Sequence, residues 1–175
     1  MPATFIHHVM DSLNDILKKH IEIKAGYFLD AGVKVELDLD PDMPQIYPGL
    51  DQRRGYPDYL RGMLLELTGE QMDARTWSNV TTKLRYSTLF VDGVQVIIIE
   101  HDGKPIPDDI ITKLNRELAV IYETRETVNP GGRGGNKRAA VQISSYGGRI
   151  YIENHPDREY KVETTVELPV KPFSF

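Results

Sequence analysis

Glu66, Glu70 and Asp73 are spaced four and three residues apart. On a helix that spacing puts the three carboxylates on one side, at the rim of the apolar stripe formed by Leu60, Met63, Leu64 and Leu67. Carboxylates at the edge of a core can hold a divalent cation or take a proton as a general base. The ordinary alternative is a solvated helix face. A second group, GGRGGNKR at 131–138, joins Gly131, Gly132, Gly134 and Gly135 to Lys137 and Arg138. Glycines let backbone N–H groups approach a phosphate, and a helix starting behind them favours negative charge. A third group is EHDG, in which His101 ends an apolar run and Asp102 and Gly103 open a turn.

Several familiar chemistries fail on these residues. The glycine cluster lacks the Gly-Lys-Ser/Thr ending of a P-loop, and no strand directly precedes it as a dinucleotide fingerprint requires. One Arg–Gly box in a chain of net charge −5 and pI about 5.5 argues against nucleic acid as a partner. DLDPD at 38–42 begins like a calcium loop, but Met43 stands where that loop needs glycine and Gly49 where it needs glutamate. His7, His8, His20, His101 and His155 are scattered, with no His-x₃-His pair beside a further ligand. The absence of cysteine excludes disulfides, thiolate catalysis and cysteine-based zinc sites. With 40% hydrophobic and 27% charged residues, the 175-residue chain should fold as one globular unit. No run approaches the ~18 apolar residues of a membrane span, and MPATFIHHVMD lacks a signal-peptide pattern. A cytoplasmic location is expected.

The elements that must position these residues follow from periodicity. Ile6, Val9, Leu13, Ile16 and Leu17 predict an amphipathic helix over about residues 4–24, with Gly26 and Gly32 bracketing a link behind it. VKVELDLD alternates, so Val33, Val35, Leu37 and Leu39 share the buried face of a strand. A second helix opens after Pro57 and carries the acids. TKLRYSTLF and VQVIIIE read as a strand pair joined by an Asp-Gly turn of type I′, and VQVIIIE, apolar on both faces, should be central. Pro107, Asp108 and Asp109 begin a third helix running to about Tyr122. A long loop, a short helix and the strands GRIYIEN and YKVETTVELPV complete the chain. This order predicts an α+β two-layer sandwich: a mixed sheet with helices on one face.

Taken in order, the pieces resemble the ATP-binding domain shared by histidine kinases, DNA gyrase B, the Hsp90 chaperones and MutL, over about residues 10–170. AGVKVELDLDPDMP is similar to that fold's first strand and loop, and YLRGMLLELTGEQMDA to the helix bearing its N box. VQVIIIEHDGKPIPDD is similar to the strand and loop of the first glycine box. GGRGGNKRAAVQISSYGGRIYIEN is similar to the second glycine box, its helix and the following strand, and VETTVELPV to the closing strand. The resemblance implies a Bergerat-type fold, with residues 1–26 as a helix that could be the remnant of a dimerisation hairpin and 27–175 as the ATPase-like domain. It implies ATP and Mg²⁺ as cofactors. It casts Glu66 as the catalytic base and Glu70 at the metal-holding position. His101, Asp102, Gly103, Gly131, Gly132, Gly134, Gly135, Lys137 and Arg138 would then line the nucleotide.

The sequence departs from the family pattern at the site rather than in the scaffold. Glu70 stands where an asparagine usually holds Mg²⁺, Asp73 where kinases often carry a base, and Pro105 where the first box has its second glycine. The adenine-reading position is His101 in one register and Asp102 in the other. Three acids near three phosphates oppose tight ATP binding. The expectation is a degenerate domain acting as a regulatory or signalling interaction module with a protein partner. Its alternatives are a working Mg–ATP binder, such as a small anti-sigma-type kinase or ATPase, and a structural homodimer built on the first helix.

Overall fold

The structure, a computed structural model, describes residues 12–45, 56–72, 81–125 and 134–170. Helix α1 spans Leu13–Asp30 and starts at a capping box, in which the Asp15 N–H donates to the Ser12 hydroxyl and the Ser12 N–H to the Asp15 carboxylate. The helix runs through Gly26 and stops at Gly32 instead, whose φ of +69° is the left-handed conformation of a Schellman ending. The Val33 N–H donates to Phe28 O and the Gly32 N–H to Leu29 O, while the side chains of Phe28 and Val33 are both buried. The expected division at residue 26 therefore falls inside α1. Residues 4–11 of the expected helix lie outside the described residues.

Strand β1 spans Lys34–Asp38, α2 Tyr56–Met72, β2 Lys83–Val91 and β3 Val94–His101. Helix α3 spans Asp108–Thr124, α4 Gly135–Ser144, β4 Arg149–Asn154 and β5 Val162–Pro169. The strands form one sheet in the order β1-β2-β3-β5-β4, with β1 parallel to β2 and every other pair antiparallel. The apolar run Val94–Glu100 takes the central place its two-faced character predicts. Asp92 (φ 51°) and Gly93 (φ 76°) both sit left-handed in the β2–β3 turn, as type I′ requires. Strand β1 is an edge, so Leu37 on its inward side stays 43% exposed. Pro107 is the N-cap of α3 rather than its first residue, and the helix reaches Thr124, two residues past expectation.

The helices cover one face of the sheet. Leu84, Tyr86, Ile97, Ile99, Val166, Leu168, Ile150 and Ile152 point into the core from the strands. Leu60, Met63, Leu64 and Leu67 of α2 are completely buried. At about 1.5–3 kcal/mol for each such side chain, α2 is firmly seated as a base for the acids on its rim. A buried polar chain ties α1 to α2 and the sheet: His20 Nε2 is 2.9 Å from the Thr68 hydroxyl, which is 2.8 Å from the Tyr86 hydroxyl. The YGG turn behind α4 is built on two different demands for glycine. Gly147 has φ +77°, and a Cβ on Gly148 would lie 2.9 Å from both Ile143 Cδ1 and Leu168 Cδ2. Among the described residues no helix is long and apolar enough to cross a membrane.

Candidate functional site

The three groups singled out in the sequence meet where the end of α2, the turn after β3 and the start of α4 converge. A narrow cavity of about 40 Å³ lies there, lined among others by Glu70, Gln71, Thr81, His101, Gly103 and Thr164. It adjoins a wider groove of about 380 Å³ along α3 and the start of α4, which shares Glu70, Ile106 and Asn136 and adds Lys113, Glu117, Gly134 and Lys137. The inner cavity is far smaller than the ~300–1,000 Å³ usual for small-molecule sites.

The geometry gives His101 and Asp102 opposite directions. His101 ends β3 on the inward side and faces the cavity, its Nδ1 accepting a 3.1 Å hydrogen bond from the Gly103 N–H. Burial pushes the imidazole down to about 4, against a weaker opposing pull from the Asp102 carboxylate, so it is neutral at pH 7. Asp102 turns back onto the start of β2. Its Oδ1 accepts from the Thr82 and Lys83 N–H groups at 2.8 and 2.9 Å, and its Oδ2 from the Thr82 hydroxyl. Burial pushes this carboxyl up, but those hydrogen bonds outweigh it and hold the group below its ordinary value. Asp102 thus caps a strand and is not offered to the cavity. Gly103 has no room for a side chain: a Cβ would lie 2.7 Å from His101 Nδ1 and 3.2 Å from Thr81 Oγ1.

Each charged residue expected to meet nucleotide is engaged by another protein group. Glu66 Oε2 accepts from Arg138 Nε at 3.0 Å and from a terminal guanidinium nitrogen at 2.7 Å. The candidate base and one candidate phosphate ligand thereby neutralise each other. Lys137 Nζ is 2.5 Å from Glu117 of α3. Glu70 Oε1 accepts the N–H of Gly135, the first residue of α4. That helix has no acid in its first turn, and its N-cap Gly134 contributes no side-chain bond, so the Glu70 carboxylate is the anion on its positive end. The contact explains Gly135, where a Cβ would lie 2.7 Å from Glu70 Cγ and 2.9 Å from the Glu66 carbonyl. Gly131, Gly132 and Asp73 lie outside the described residues.

Protein groups already occupy the charged positions of this region. The anion seat at α4 holds a carboxylate, and the wide groove carries two lysines against two glutamates. Gln71 and Thr164 are among the cavity residues that sequence reasoning missed. Gln71 is 6% exposed, and neither atom of its side-chain amide has a hydrogen-bond partner among the described residues. Thr164 was detectable as the polar residue in the inward row Val162, Thr164, Val166, Leu168. Gln71 had no such signal, because its importance depends on what α2 packs against.

No protein-family model matches the sequence, and no curated protein matches it. Solved structures do. The nucleotide-free catalytic domain of histidine kinase ThkA aligns with a TM-score of 0.64 at 16% identity, over 91% of this chain and 93% of that one. The Acinetobacter baumannii histidine kinase AdeS gives a TM-score of 0.60 at 17% identity, over 92% of this chain and 66% of its own. The mycobacterial sensor histidine kinase MprB gives 0.57 at 14% identity, over 93% and 97%. The mixed five-stranded sheet with its helices has the fold of the ATP-binding catalytic domain of histidine kinases.

Proposed function

We propose that this chain is a regulatory or signalling protein-interaction module of the cytoplasm, built on the histidine-kinase catalytic fold, with nucleotide binding weak or lost. The observation that carries the reading is the Glu70 carboxylate on the Gly135 N–H, because an anion supplied by the protein already satisfies the helix end a phosphate would need. Arg138 paired with Glu66 and Lys137 with Glu117 support it. A partner of the response-regulator kind is consistent with ThkA, which has been solved in complex with the response regulator TrrA. Calorimetry and thermal shift at millimolar Mg–ATP test the reading. The expected result is no binding heat and no rise in melting temperature. Tight binding that Gly103→Trp abolishes would overturn it in favour of a working Mg–ATP domain.

A second reading, a homodimer through the first helix, is favoured by the outer side of α1. Ile23, 66% exposed, stands one turn from a half-exposed Tyr27 on the same flank of that helix. Sedimentation velocity on the whole chain at high concentration separates the two: a dimer supports this reading, and a monomer removes it.

A further inference from the structure

The sheet face away from the helices carries one row of charge that the nucleotide-site reading leaves unused. Strand register aligns Glu36, Arg85, Glu100, Glu163 and Glu153 side by side across all five strands. The row holds four glutamates and one arginine. Arg85 is committed to the β1–β3 end: its Nε donates to Glu100 at 2.6 Å, and its guanidinium lies over the Tyr160 ring at 4.5 Å. Tyr160 in turn donates its hydroxyl to Glu36 at 3.0 Å. At the β5–β4 end, Glu163 and Glu153 stand directly opposite each other, and like charges so placed repel.

His155 sits between them. The residue is anchored in the β4–β5 connection, its N–H donating to Lys161 O at 2.7 Å and its carbonyl accepting from the Arg158 N–H at 3.0 Å. Its Nε2 is 3.2 Å from Glu163 Oε2 and 3.9 Å from Glu153 Oε2. That nitrogen is buried yet makes no hydrogen bond among the described residues. The three donor atoms all lie within 4.8 Å of one another. The guanidinium of Arg158 lies 3.7 Å from Glu163.

We propose that Glu153, His155 and Glu163 form a binding site for a zinc-class divalent cation that clamps the β4–β5 hairpin. One imidazole and two carboxylates suit a borderline cation better than magnesium, which prefers an all-oxygen shell. Zinc held at ~2.0–2.2 Å by nitrogen and oxygen donors in a tetrahedron sets neighbouring donors about 3.3 Å apart. The His155–Glu163 spacing of 3.2 Å already meets that distance. Glu153 must close from 3.9 Å, which its 55% exposed side chain is free to do. The cation neutralises the facing glutamates and gives the buried imidazole nitrogen its missing partner.

The test is calorimetric titration of the metal-free full chain with zinc chloride, with magnesium chloride in parallel. One zinc per chain is expected, with a higher melting temperature and no matching effect of magnesium. His155→Ala and Glu153→Gln should each weaken that zinc binding at least about tenfold, since removing even a group that only orients a ligand costs about 10- to 100-fold. Glu153→Gln changes an exposed side chain, so its effect cannot be ascribed to misfolding. Absence of a stoichiometric event overturns the proposal, as does an affinity that both variants leave unchanged. An equal response to magnesium also overturns it, since it would mark general charge screening.

Discussion

Replacing Glu70 by asparagine is the sharpest perturbation of the site. The carboxylate accepts the first N–H of α4, a helix with no acid of its own in that turn. Loss of a charge at a partly buried helix N-terminus costs about 1–2 kcal/mol. Urea unfolding of Glu70→Asn should therefore show a decrease of about that size. The same change removes one negative charge from the place a phosphate would occupy. Two unit charges ~5 Å apart at an effective dielectric between 20 and 80 repel by about 1–3 kcal/mol, which is about 5- to 150-fold in affinity. Calorimetry with Mg–ATP should show at least about a fivefold tighter interaction than the parent chain. Glu70→Gln, of equal length but uncharged, should lie between the two in stability, since its amide oxygen can still accept from Gly135, and should match the asparagine variant in nucleotide affinity. An asparagine variant as stable as the parent, with the same nucleotide response, would refute the idea that Glu70 acts as a built-in anion.

Other outcomes follow from the same geometry. Gly148→Ala should destabilise by about 1–3 kcal/mol in urea unfolding, because its new methyl meets Ile143 and Leu168 at 2.9 Å inside the core. Thr68→Val removes the hydroxyl that links His20 to Tyr86; with two buried polar atoms left unpaired, a loss of about 2–3 kcal/mol is expected. Burial holds both His20 and His101 down at about 4 in the folded chain, against 6.5 when free. The unfolded chain therefore binds more protons between those values, and stability present above pH 6.5 is lost as pH falls toward 4. At pH 5 the loss is about 2 kcal/mol for each histidine, so a flat unfolding free energy between pH 7.5 and 5 would contradict their placement.

The scaffold was legible because its signals are local. The stripe Leu60, Met63, Leu64, Leu67 and the two-faced run Val94–Glu100 gave α2 and the central strand. Asp92-Gly93 gave the hairpin, because few other pairs tolerate positive φ at both turn positions. The end of α1 was misplaced for a related reason. Gly26 and Gly32 look alike in one dimension, and only the pairing of Val33 with Phe28 makes Gly32 the stop. In the site, the convergence of Glu70, His101, Gly103 and the start of α4 was visible from motif order. The directions of the side chains were not, and neither was the polar character of Gln71's surroundings.

The sequence by itself determined the element order, the central strand and the Asp92-Gly93 hairpin turn. These rest on periodicity and backbone sterics within a few residues. Only the tertiary structure decided which charges cancel. Glu66 meets Arg138 across 72 positions, Glu70 meets Gly135 across 65, and Glu163 faces Glu153 through strand register. Coulombic pairing depends on distance in space. The residue types that suggest a phosphate site are therefore the same ones that, once folded together, satisfy each other.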